Sequence, residues 1–220
     1  WLGKERISVF SSDHGSQWPF GKWNLYDYSI RVPLVISWPG VVPQGQRTQA
    51  MVSWVDLLPT LIELVGGSYS DSLDGRSFTR IFKEPQADHR KFIFATHTGD
   101  GNKNEYPMRT VRDQRYQYIR NLRPEHFHTN HSDINRYDGA GAYWNSWDSL
   151  AQVDPWAQFL IQQYQYRPAE ELYDLDHDPL QQRNLVGVKA YENIHRSLSM
   201  KLDGWLTEQG DSLALASPVK

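Results

Sequence analysis

Cysteine is absent from the 220 residues, which excludes disulfides, thiolate metal ligands and a cysteine nucleophile within this chain. Long apolar runs are absent too. No stretch approaches the ~20 residues that span a bilayer, and the opening residues show none of the features of a secretory leader. Neither sign of charge dominates: 23 basic and 26 acidic side chains leave a net charge of −3. They are mixed along the chain, so no basic tract is available to hold a nucleic-acid backbone. Aromatic residues are plentiful, with 9 Trp and 12 Tyr. Flat rings serve core and interface packing, and equally suit stacking on sugar faces.

The apolar pattern predicts α/β architecture. Residues 7–10 and 32–38 are compact runs of branched and aromatic residues closed by Gly or Pro-Gly, as buried strands are. A chain that opens on a core strand is expected to begin in the middle of a fold. Residues 53–65 have helical spacing, with Ser53 or Asp56 as N-cap, Pro59 in the first turn and Gly66-Gly67 as the stop. A third strand is expected at 92–96. Up to here the expected arrangement is parallel. Residues 108–113 and 116–121 then alternate polar and apolar across Asp113-Gln114-Arg115, which predicts an antiparallel hairpin. Residues 123–168 read as a long excursion with one helix near 156–163, residues 171–175 as a last strand, and 191–209 as an amphipathic closing helix.

Chemistry-bearing residues gather just past the strand ends, where ligands bind in open α/β sheets. Asp13 and His14 offer one hard oxygen and one nitrogen, part of a divalent-metal shell, or equally a capping aspartate with a satisfied imidazole. Lys22, between Gly21 and Trp23, either reaches a phosphate or sulfate oxygen or is simply solvated. His97 and Asp100 can orient a polar substrate. Arg109 and Arg112 on the hairpin can pair with carboxylate or sulfate groups, or belong to an ion-pair network. His126, His128 and His131 have metal-compatible spacing but no supporting carboxylates.

In series, these residues resemble the C-terminal portion of the type I, formylglycine-dependent sulfatases of the alkaline-phosphatase-like superfamily. The series runs Ser12-Asp13-His14-Gly15, Gly21-Lys22, Tyr26-Asp27, Arg31-Val32-Pro33, Trp38-Pro39-Gly40, Val55-Asp56-Leu57-Leu58-Pro59-Thr60, Glu171-Leu172-Tyr173-Asp174-Leu175, Asp178-Pro179 and Asn184-Leu185. Residues 106–112 with Asn121-Leu122 are similar to the sulfamidase (N-sulphoglucosamine sulphohydrolase) branch, and bacterial polysaccharide sulfatases share the scaffold.

The resemblance implies a mixed sheet flanked by helices over residues 1–100 and a smaller α+β subdomain over 101–220 whose excursion lines the substrate pocket. It implies that Asp13 and His14 ligate Ca2+ shared with residues outside this chain, and that Lys22 holds a sulfate oxygen. The formylglycine, made from Cys or Ser in a Cys/Ser-x-Pro-x-Arg motif, is expected on an N-terminal portion of the same sulfatase. The implied substrate is a sulfated polysaccharide or oligosaccharide, and the implied location is periplasmic or secreted, or lysosomal in a eukaryote. Two rivals share the scaffold: a phosphomonoesterase or phosphonate hydrolase, and an inactive carbohydrate-binding relative.

Overall fold

Short apolar runs separated by Pro- and Gly-rich turns produce short strands, and the computed structural model, which describes residues 6–100, 105–134, 136–137 and 141–216, contains six of them among those residues. The opening residues 1–5 lie outside the described residues. The chain divides into two compact units, one of residues 1–12 with 33–93 and one of residues 13–32 with 94–220. The stretch carrying Asp13 and Lys22 therefore groups with the C-terminal half.

In the first unit β1 (Ser8–Ser11) pairs with β2 (Leu34–Ser37) in antiparallel register, Ser8 opposite Ser37 and Ser11 opposite Leu34. The parallel arrangement expected for these strands is therefore not found. Nor are they buried throughout: Leu34 and Ile36 pack on Phe78, Ile81 and Phe82, whereas Phe10 (66%) and Val35 (57%), directly opposed across the ladder, are exposed. Each strand has one ladder partner among the described residues, so each keeps one edge without a ladder partner there. A 3-10 turn at Trp54–Asp56 leads into α2 (Leu57–Leu64), with Pro59 tolerated in its first turn. The polar connection that follows contains a short helix, α3 (Arg80–Lys83).

The second unit is built on a four-stranded sheet in the order β3 (Ile93–His97), β4 (Met108–Arg112), β5 (Tyr116–Asn121), β6 (Glu170–Asp174). β4 and β5 form the expected hairpin. Its turn is made by Asp113, whose side chain accepts from the backbone amides of Arg115 (2.8 Å) and Tyr116 (2.6 Å). β6 adds antiparallel to β5. Strand alternation gives the sheet two distinct faces. Against one lies α7 (Glu192–Glu208), which buries Leu198, Leu202 and Leu206 at four-residue intervals. Against the other lie Leu25 and Tyr26, packed on Met108, Ile119 and Tyr173.

The excursion holds more structure than the single expected helix: α4 (His131–Ile134), α5 (Trp144–Ala151) and α6 (Pro155–Gln165). Asp154 caps α6 by accepting from Trp156 and Ala157, with Pro155 at the first helical position. α5 is hard to read from sequence because its apolar stripe is made of Trp. Trp144, Ile161 and Tyr164 form the core between α5 and α6.

Candidate active site

The segment from Asp13 to Ile30 is a loop closed on its own main chain. The Gly15 amide donates to the Ser29 carbonyl (2.8 Å), and the Lys22 amide donates to the Ser16 carbonyl (2.9 Å). Glycine is required at both crossings: a Cβ on Gly15 would stand 2.0 Å from the Tyr28 carbonyl oxygen, and one on Gly21 would stand 2.0 Å from that of Ser16. Two residues beside the lysine hold left-handed backbone without being glycine, Phe20 (φ 63°) and Trp23 (φ 67°). Such conformations persist only where the surroundings over-determine them, and they cluster at functional sites. Phe20 is fixed by its ring, wedged edge-on between Tyr26 (5.4 Å) and Tyr164 (5.5 Å). The loop continues into α1 (Asp27–Ile30).

Asp13 and His14 stand at the base of this loop. His14 Nε2 lies 3.4 Å from an Asp13 carboxylate oxygen, and the Asp13 side chain is 84% exposed. Among the described residues no third acidic or imidazole side chain joins them. One oxygen and one nitrogen are a fragment of the six to eight oxygen-rich ligands that calcium takes, so these residues fit a shared shell, not a complete one.

Lys22 is half-buried on the return limb, its ammonium 4.7 Å from the centre of the Trp23 ring. Trp23 in turn packs against the His131 ring (4.6 Å between centres), and His131 Nε2 lies 3.2 Å from the Asp100 carboxylate. A cation, an indole, an imidazole and a carboxylate thus follow one another along one surface. His131 and Trp23 were not singled out by sequence as substrate residues. The signal present was the i, i+1 placement of Trp23 beside Lys22; nothing local connects His131 to it.

Arg109 and Arg112 lie three residues apart in β4 and so point to opposite faces. Arg109, on the α7 face, pairs with Asp211, and its Nη1 donates to the His97 carbonyl (2.9 Å). Arg112, on the other face, pairs with Asp27. Arg109 is buried and Arg112 partly so, each in an ion pair. His97 ends β3, with Asp100 on the loop after it. Of the three clustered histidines, His128 is buried within the fold, where burial first and the Arg167 guanidinium second hold its pKa well below the usual imidazole range. His126 borders a cleft of about 330 Å³ with Thr98, Glu105 and Arg123.

The family model described as N-sulphoglucosamine sulphohydrolase, C-terminal, matches residues 14–138, more than half of the chain. The chain belongs to this sulfatase family. It is 29% identical to an ulvan-active sulfatase of Formosa agariphila over 97% of its own length and 40% of that protein's. It is 28% identical to human N-sulphoglucosamine sulphohydrolase over 94% of its length and 42% of that protein's. A solved 2-O GAG sulfatase superposes on 93% of the chain, and on 37% of its own, with a TM-score of 0.65 at 22% identity, which establishes the shared fold. The chain thus spans about two fifths of the length of these relatives. Their fold is the alkaline-phosphatase-like mixed α/β arrangement.

Proposed function

We propose that the complete protein is a hydrolase that removes sulfate, as ester or sulfamate, from a sulfated polysaccharide or oligosaccharide. The observation that carries this reading is the main-chain-closed loop presenting Lys22 over Trp23, in a chain of the sulfatase family. A compact ammonium with three donors suits one oxygen of a tetrahedral dianion, and it stabilises the charge that develops on the leaving group. The aligned ring of Trp23 and the His131-held carboxylate of Asp100 suit a sugar: an apolar face to stack on, and an acceptor for its hydroxyls.

In this reading Asp13 and His14 supply part of a Ca2+ site whose other ligands, with the formylglycine, belong to an N-terminal portion of the same sulfatase. The ion neutralises sulfate charge when bound. His97 and Asp100 contact the substrate. Arg109 and Arg112 act on it through what they hold, the His97 carbonyl and Asp27. The exposed Phe10–Val35 pair is the kind of surface an N-terminal portion covers. Calcium and polysaccharide both point to a periplasmic, secreted or lysosomal setting.

The test is sulfate release by the full-length protein from ulvan oligosaccharides, N-sulfated glucosamine and 2-O-sulfated glycosaminoglycan disaccharides, with matched aryl sulfate and aryl phosphate alongside. Release from one of the sugars is expected, together with a loss of at least about a hundredfold in turnover on Lys22→Ala, the size of a deleted transition-state donor. Near-normal turnover by Lys22→Ala removes the lysine from the mechanism. Hydrolysis of the aryl phosphate alone assigns a phosphomonoesterase instead.

A further inference from the structure

Arg167 is a buried cation, 3% exposed, and no carboxylate of the described residues stands within ion-pair distance of it. Its shortest bond runs from Nη2 to the Asn24 side-chain oxygen, at 2.6 Å. The rest of its shell is neutral: the Tyr164 carbonyl (3.2 Å), the Met108 sulfur (3.3 Å) and His128 Nδ1 (3.2 Å). The last contact requires an uncharged imidazole that accepts at Nδ1, which agrees with the depressed pKa of His128. The rings of Tyr26 (5.1 Å), Tyr106 and Tyr164 (both 5.7 Å) surround the guanidinium carbon. One of these rings carries the link to a negative charge: the Tyr26 hydroxyl donates to Glu171 at 2.8 Å.

Burying a guanidinium among neutral groups is costly, and an apolar side chain of similar volume fills such a space at less cost. What an apolar residue cannot do is grip Asn24. That asparagine is 3% exposed and makes four contacts that define the turn. Its side-chain NH2 donates to the Lys22 carbonyl (3.3 Å), its amide donates to the Gly21 carbonyl (3.1 Å), its own carbonyl accepts from Ser29 (2.6 Å), and its side-chain oxygen takes the Arg167 bond. The left-handed Trp23 lies between the two residues so held.

We propose that Arg167 is a positioning residue for the reaction: from inside the fold it fixes, through the Asn24 amide, the turn that presents Lys22. The proposal rests on Lys22 binding sulfate. Misplacement by about 1 Å can cost about a hundredfold in rate, so a loosened turn lowers kcat with little change in KM.

The experiment uses the full-length protein, with Asn24→Ala and Arg167→Lys made singly and in the Lys22→Ala background. Each single variant is expected to lose at least about tenfold in kcat on the sulfated sugar selected above, and to lose less than about twofold more once Lys22 is gone. Hydrogen exchange is expected to speed up at residues 21–24 and to stay unchanged at 117–121. Fully additive rate losses, or exchange raised equally in both segments, overturn the proposal by assigning Arg167 to the core alone. If Lys22→Ala keeps its activity, the sulfate reading fails, while exchange at 21–24 still reports whether Arg167 holds the turn. Asn24→Ala serves as the probe should Arg167→Lys not fold.

Discussion

At the scale of single residues, Asp56 governs the first unit although its local spacing marks it as no more than a helix cap. It is fully buried and accepts from the Ser53 amide (2.9 Å), the Arg76 amide (2.9 Å) and two nitrogens of Arg90, with His89 Nε2 at 3.1 Å. Burial opposes its ionisation, but the hydrogen bonds from Arg90, Arg76 and Ser53 outweigh it and hold the carboxyl below the usual range. Replacing it takes the carboxylate from the Arg90 guanidinium, which keeps only its bond to the Asp74 carbonyl (3.2 Å), and leaves two amides without their acceptor. Asp56→Ala is therefore expected to destabilise the protein by about 3 kcal/mol, read from urea unfolding, whereas exposed Asp71→Ala changes little. A loss under about 1 kcal/mol would show that water replaces the carboxylate without penalty. The Asp113 turn and the Gly21-Lys22 pair could be read directly, because each is set by neighbours in sequence. The Arg167–Asn24 bond could not, since its partners are 143 residues apart.

At the scale of elements, the sheet of the second unit is held by pairs that bridge its strands and helices. Arg109 and Arg120 are directly opposed on β4 and β5, a repulsive placement relieved by Asp211 and by Asp203 of α7 (2.6 Å). α7 was legible as a helix because Leu198, Leu202 and Leu206 repeat every four residues, and each is now found buried. Leu202→Ala should cost about 2–5 kcal/mol by thermal or urea unfolding, as cavity-forming core substitutions do. β1 and β2 were legible as strands but not in direction, because a short apolar run carries no mark of its partner's orientation.

The end of β6 supplies a pH dependence. Asp174 accepts from Arg115 at 3.0 and 2.7 Å, and those bonds lower its pKa from 3.8 to about 2. A carboxylate depressed in the folded state stabilises the fold above its unfolded pKa, and that contribution is lost as pH falls from 3.8 towards about 2. Melting temperature should thus fall more steeply for the native protein than for Asp174→Asn between about pH 5 and about pH 2. Parallel curves would detach Asp174 from acid stability.

At the scale of the whole molecule, the 220 residues correspond to two fifths of their relatives. On the proposed reading the reacting aldehyde and the first calcium ligands lie on the remaining part. The isolated 220-residue chain is accordingly expected to release no sulfate from any of the sugars named above. Its exposed Phe10 and Val35, side by side on the β1–β2 ladder, should make it self-associate as concentration rises, measured by light scattering, and Phe10→Ser should lessen this. Monodisperse behaviour of the unaltered chain would show that this pair forms no cohesive surface. Among the described residues no helix is long and apolar enough to cross a membrane.

The closure of the Lys22 loop at Gly15 and Gly21 has a bearing on how this protein can diversify. The loop is tied main chain to main chain, so its shape depends on residue count between the crossings far more than on outward side chains such as Gln17. One inserted or deleted residue between Ser16 and Gly21 shifts the Lys22 amide off its acceptor, while a change of letter at Gln17 leaves it in place. On the proposed reading, variation that retunes the sugar has its freest room elsewhere, at Asp100, which meets the loop only through His131 and Trp23.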